Sequence, residues 1–206
     1  MSKLRSIPPI AAPFPAPNGF FDFSARAVFS DERRVDAPIA LKAMRSQNTV
    51  IPCDADDSTQ KLKSAVFALA FESACRLVLI DVEGECGLEI FDGAAALAAY
   101  TVKDVAEAMA TLVALAAEID KRKMTGVSVP EIVTVTADLK GRLGDAFYRR
   151  LAELSRSANA VGAYFALCSP NPRARGLGAA IDVSALSTVP DGEIERKVRE
   201  ASAFFI

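Results

Sequence analysis

The sequence predicts an α/β domain: a mainly parallel, doubly wound sheet with helices on both faces, preceded by an extended Pro-rich N-terminal arm. From Asn48 onward, strand-like segments alternate with helix-like ones, the pattern of a parallel sheet covered on both faces. RLVLIDV at 76–82 is a continuous run of branched apolar residues, as expected for a strand buried on both sides. With 51% apolar and 24% charged residues in 206, the chain has ample material for a core.

Each element follows from local chemistry. Residues 1–24 hold Pro8, Pro9, Pro13, Pro15 and Pro17, then Phe20, Phe21 and Phe23. Proline denies a helix there, so the stretch reads as an arm, either lying on the domain or inserting its phenylalanines into a neighbouring subunit. The α/β domain is expected over 25–206, opening with the charged DERR at 31–34 and a short helical or irregular piece, PIALKAMRS. NTVIPC reads as a strand and 58–74 as a helix. A second helix is expected over 103–121, where Val105, Met109, Leu112, Val113, Ala116 and Ile119 form one apolar stripe. EIVTVTA at 131–137 is a strand. A third helix covers 143–158 with Phe147, Leu151 and Leu154 inward, followed by the buried strand AYFALCS and the loop PNPRARGLGAA. DVSALSTV reads as a last strand, and an amphipathic helix opening on a capping Asp191 closes the chain.

Composition removes several chemistries. Histidine is absent, which excludes imidazole bases, Ser/His triads and His-containing zinc sites. Cys53, Cys75, Cys86 and Cys168 are widely spaced without a CxxC pair and read as reduced core residues. A formal charge of -2 places any nucleic-acid contact in a local patch or an assembly. No apolar run approaches the ~20 residues that span a bilayer and no secretory h-region is evident, so a cytoplasmic protein is expected.

In parallel sheets ligands bind beyond the carboxyl ends of the strands, so the residues just after each strand are the candidates. After the first strand, DSTQKLKSAV at 57–66 contains Lys63-Ser64, the chemistry of the GK[ST] end of a phosphate-binding loop. Asp57 and Leu62 stand where that pattern needs glycine, adding charge repulsion and steric crowding. The competing reading is an ordinary helix start, with Asp57 or Ser58 as cap and Gln60 closing a capping box. After the second strand, Asp81, Glu83, Glu85 and Glu89 read either as oxygen ligands for a divalent cation or as solvated loop acids. After the third, Asp138 is a carboxylate for Mg²⁺ or an N-cap or turn residue. After the fourth, Arg173 and Arg175 sit on a Gly-flanked loop, as surface arginines or as contacts to an acidic partner or a neighbouring subunit's phosphate.

The order of these segments resembles the motor domain of FtsK/HerA-type DNA translocases, RecA-like P-loop ATPases that work as hexameric rings. RLVLIDVEGECGLEIFDG resembles that family's strand ending in Ile-Asp and its following loop. VPEIVTVTADLKGRL is similar to its Walker B segment, and FYRRLAELSRSANAVGAYFALCSPNP to the helix and strand leading to its polar sensor. The resemblance covers about three quarters of the chain and implies a RecA-like P-loop NTPase fold. Against it, the P-loop glycines are replaced by Asp57, Gln60 and Leu62, the Walker B acidic pair by Ala137-Asp138, and the sensor by Pro170. The resemblance therefore implies a catalytically degenerate domain acting in assembly or partner binding, without a cofactor. On this reading Lys63 and Ser64 are relics of a nucleotide site and Asp138 a relic of the catalytic one. The expected partners are a second copy, an active translocase or another protein, with DNA contacted only in an assembly. Two alternatives stand beside it: an active ATP- and Mg²⁺-dependent translocase with a diverged site, and a metal-dependent small-molecule enzyme using the strand-end carboxylates.

Overall fold

The structure, a computed structural model, describes residues 39–51, 53, 58–72, 75–92, 99–181 and 188–203. The arm with Phe20, Phe21 and Phe23, the DERR patch, Asp57 and most of the expected strand at 182–189 lie outside the described residues.

The described elements run α1 (Ile39–Met44), β1 (Thr49–Ile51), α2 (Ser58–Glu72), β2 (Arg76–Asp81), β3 (Ala99–Val102), α3 (Val105–Thr125), β4 (Ile132–Ala137), α4 (Asp145–Ala158), β5 (Ala163–Cys168), β6 (Ala179–Ala180) and α5 (Asp191–Ala203). The six strands form one sheet in the order β3-β2-β4-β5-β1-β6, and every pairing is parallel. Register is set along the centre, where Asp81 lies beside Ala137 and Ala137 beside Cys168, so three strands end level with one another.

Alternation along the strands divides the core in two. Leu77, Leu79, Val133, Val135, Ala166 and Cys168 face one cluster with residues of α1, α2 and α5. Val78, Ile80, Ile132, Phe165 and Leu167 face the other, against α3 and α4. Both faces of the sheet are thus covered, which is why RLVLID is apolar almost throughout and buried at all six positions.

Helix limits follow their caps. Asp104 accepts hydrogen bonds from the N–H groups of Ala106 (2.7 Å) and Glu107 (3.1 Å), starting α3 two residues later than the periodicity placed it. At the other end Gly126, with φ 68°, closes the helix through an N–H donated to the Arg122 carbonyl. Two members of the expected apolar stripe are corrected: Val105 and Val113 are exposed, 39% and 61%, while Thr111 and Arg122 are buried. Strand β3 lies in a stretch the sequence left unassigned, and β6 falls in the stretch read as a loop. Its two residues pair with Thr49 and Val50. Among the described residues no helix is long and apolar enough to cross a membrane.

At the amino-terminal edge of the sheet, Arg122 ties together the segments that enter β4 and β5. Its guanidinium donates to Glu118 Oε1 (2.9 Å) and to the carbonyls of Ser128 (3.3 Å), Val161 (3.2 Å) and Pro130 (2.8 Å). The residue is 2% exposed, so the guanidinium itself has little access to water as a substitute for those acceptors. Arg122→Met leaves one carboxylate and three carbonyls short of a donor. It should lower unfolding stability by about 3 kcal/mol, read from the urea midpoint; a loss below about 1 kcal/mol would contradict this account of the edge.

Candidate functional site

Chain direction reverses at two places in the sheet. β1 leads leftward to β2 whereas its neighbour β5 leads to β6 on the far side; likewise β2 leads out to β3 whereas its neighbour β4 leads to β5. Crevices for ligands form at such points, beyond the carboxyl ends. Asp81 and Asp138 stand at the ends of β2 and β4 at one of these points, Lys63 and Ser64 follow β1 at the other, and β4 and β5 lie between the two.

At the β2/β4 point, Asp81 closes β2 and Asp138 directly follows β4, and each grips its own following loop. Asp81 Oδ1 accepts from the N–H of Cys86 (2.9 Å) and Oδ2 from that of Leu88 (2.8 Å). The loop reaches this shape through left-handed backbone at Glu83, Gly84 and Gly87 (φ 60°, 68° and 63°). Burial raises the Asp81 carboxyl above its ordinary 3.8; the two amide bonds oppose that shift, and Glu89 and Glu85 add to it. Burial, and secondarily the Asp81 charge, pushes the Cys86 thiol up to about 12, so this cysteine remains a protonated core residue.

Asp138, fully buried, accepts from the N–H groups of Arg142 (2.5 Å) and Leu143 (3.2 Å). The Tyr148 oxygen lies 2.7 Å from both Asp138 Oδ2 and Ser169 Oγ. Its single proton goes to the carboxylate, which only accepts, leaving the Ser169 hydroxyl to donate back to the phenol oxygen. Ser169 also accepts from Asn171 N–H (3.1 Å). Burial raises the Tyr148 phenol well above its ordinary value, so it serves as a neutral donor.

The remaining acids are distributed rather than convergent. Glu85 accepts from Lys140 N–H (3.1 Å) and meets its ammonium at 3.3 Å, tying the loops after β2 and β4. Glu83, exposed, faces Arg142 at 3.8 Å. Among the described residues no group of three or more acids and cysteines is arranged to hold a metal ion. Each of the sequence-selected carboxylates Asp81, Glu85 and Asp138 has protein donors instead.

At the β1/β5 point, Lys63 and Ser64 lie in the second turn of α2, five and six residues past its first residue, Ser58. Ser64 Oγ bonds back to the Gln60 carbonyl at 2.8 Å, as a residue of the helix body does. It also accepts from the N–H of Val189 (2.9 Å). Lys63 Nζ pairs with Asp191 Oδ2 at 2.8 Å. The Gln60 amide donates to the Val189 carbonyl (2.6 Å) and Asp191 Oδ1 (3.0 Å), a tie across the fold that the capping-box reading did not anticipate. Asp191 begins α5, and its carboxylate turns to α2. The Lys63 bond, and secondarily that of Gln60, lowers the Asp191 carboxyl below its ordinary 3.8.

Arg173 forms a two-pronged pair with Asp145, both N···O distances 2.9 Å, while Arg175 is exposed on the same loop and Pro170 is exposed beside Ser169. The structure thus joins Asp138 to Ser169, and Lys63 with Ser64 to the segment entering α5. Tyr148, Val189, Asp191 and Gly87 were not singled out as members of this edge. Their contacts to the candidate residues span 10 to 129 positions or depend on loop shape, and no local pattern encodes them.

The Asp138 network yields a graded expectation. Tyr148→Phe removes one donor and should cost about 1.5 kcal/mol. Asp138→Ala also orphans the Arg142 and Leu143 N–H groups and should cost at least about 3 kcal/mol. Urea denaturation of both variants checks the order; equal losses would contradict it.

No family model matches the chain, and no curated protein matches it. Among solved structures it is similar to EssC (ATPases 2 and 3) from Geobacillus thermodenitrificans, with TM-score 0.54 and 12% identity over 79% of this chain and 45% of that one. It is also similar to a structure described as the cytoplasmic domain of EssC, with TM-score 0.51 and 11% identity over 79% of this chain and 45% of the other. The chain spans less than half the length of either structure. At these identities the likeness establishes the fold alone: the parallel α/β architecture of this chain is similar to that of the two EssC structures.

Proposed function

We propose that this chain is a RecA-like domain related to the FtsK/HerA translocases, with its nucleotide crevice filled from within and its role in assembly or partner binding. The observation that carries the reading is the Lys63–Asp191 pair. The one lysine placed like a phosphate-binding lysine has its charge met at 2.8 Å by a carboxylate of the same chain. The groups placed for other steps support it. Ser64 holds Gln60 and Val189 backbone atoms through its hydroxyl. Asp138 is surrounded by two N–H groups and a phenol.

Phosphoryl transfer relies on positioned charge at the phosphates, the metal and the attacking water. A lysine paired internally, an aspartate with its lone pairs directed to protein donors and the missing glycines at Asp57, Gln60 and Leu62 each weaken a different one of these. The described position of Lys63, a turn inside α2, adds to this, because anion-binding N–H groups lie at a helix's first turn. The arm with Phe20, Phe21 and Phe23, and the Arg173 and Arg175 loop, are the surfaces we assign to partners: a second copy, an active translocase or another protein.

A second reading is kept because one of the similar structures is described as containing ATPases: an ATP-dependent domain with a diverged site built on Lys63, Ser64 and Asp138. Calorimetric titration with Mg²⁺-ATP and a phosphate-release assay, each with Lys63→Ala as control, separate the two. We expect neither binding heat nor turnover. Lys63-dependent hydrolysis would overturn the proposal in favour of the ATPase.

A further inference from the structure

Four contacts converge on two residues, Val189 and Asp191, ahead of and at the start of α5. Val189 gives its carbonyl to Gln60 and takes the Ser64 hydroxyl oxygen with its N–H, at 2.6 and 2.9 Å. Asp191 takes the Gln60 amide and the Lys63 ammonium, at 3.0 and 2.8 Å. Positions 60, 63 and 64 are i, i+3 and i+4 on one flank of α2, so their side chains are neighbours before anything binds them. The flank therefore acts as a clamp that takes main chain at Val189 and negative charge at Asp191.

The pair is asymmetric. The Lys63 side chain is 12% exposed and that of Asp191 50%. Water and small solutes reach the carboxylate, while the ammonium stands mostly shielded behind it. On another side the ammonium abuts Gly87, where a Cβ would stand 3.3 Å from Nζ. Taking the carboxylate away opens the ammonium to solutes with an amide donor beside it, an arrangement that favours a compact anion able to enter.

We infer that residues 189–191 form a latch in which the Asp191 carboxylate stands in for an inorganic oxyanion at Lys63, so that latch and oxyanion compete for one clamp. This rests on the reading of the crevice as filled from within and adds that the filling group is displaceable. Gln60 and Lys63 supply the donors in either state. Release of Asp191 frees the start of α5, while Ile194 and Val198 remain anchored in the core.

The test uses the full chain with inorganic phosphate, compared with chloride at matched ionic strength, and reads melting temperature. Wild type should show little specific response. Asp191→Ala should melt lower and recover in a saturable, phosphate-dependent way, because a ligand that binds only the folded state raises its melting point. Adding Lys63→Met to Asp191→Ala should abolish the recovery. Absence of recovery in Asp191→Ala, an equal response in wild type, or recovery that survives Lys63→Met would each overturn the latch. Should Asp191→Ala fail to fold, Asp191→Asn, which removes the charge and keeps the shape, is scored by the same outcomes. None of these outcomes bears on ATP turnover, so the latch and the assembly reading fail separately.

Discussion

An all-parallel sheet delivers every strand to the same edge, and the chain leaving that edge must find acceptors for backbone N–H groups that no ladder satisfies. In this domain two strand-end carboxylates supply them. Asp81 and Asp138 each receive two N–H groups from the loop that follows. The same device operates on the adjacent strands β2 and β4 and fixes the shape of both loops. From it follow the position of Gly87 against Lys63, the meeting of Lys140 with Glu85, and the placement of Tyr148 between Asp138 and Ser169.

The consequence is chemical as well as structural. A carboxylate that organises its own loop has fewer lone pairs left for a metal ion or a water nucleophile: of about four, Asp81 commits two to N–H groups and Asp138 three to two N–H groups and a phenol. In the proposed account the carboxyl edge has moved from handling a ligand to holding the fold. In the same account the Lys63–Asp191 pair completes that shift at the β1/β5 point, with the entry to α5 serving as the occupant.

Much of the architecture was readable because it depends on short-range pattern. The apolar run at 76–82, the third helix with Phe147, Leu151 and Leu154 buried, and the strand ending at Ala137 follow from periodicity and length. β3 was missed because AYTV is short, and β6 because two alanines carry no strand signal. The α3 stripe failed at Val105 and Val113 because apolar residues also occupy exposed positions, whereas Arg122 is buried because three carbonyls await it. For the site, sequence brought Lys63, Ser64 and Asp138 into view by their distance from strand ends. It gave no sign of Tyr148 or of Asp191 as their partners, for pairing across 10 and 128 residues is a property of the folded topology.

The central claim is that this edge is occupied by the chain's own groups. Amide hydrogen exchange at Arg142, Leu143 and Val189, recorded with and without Mg²⁺-ATP, measures that occupancy most directly, because these N–H groups donate to Asp138 and to Ser64. The account predicts slow exchange at all three, unchanged by nucleotide. Fast exchange in the free protein, or a change in protection at these amides when Mg²⁺-ATP is added, would contradict it.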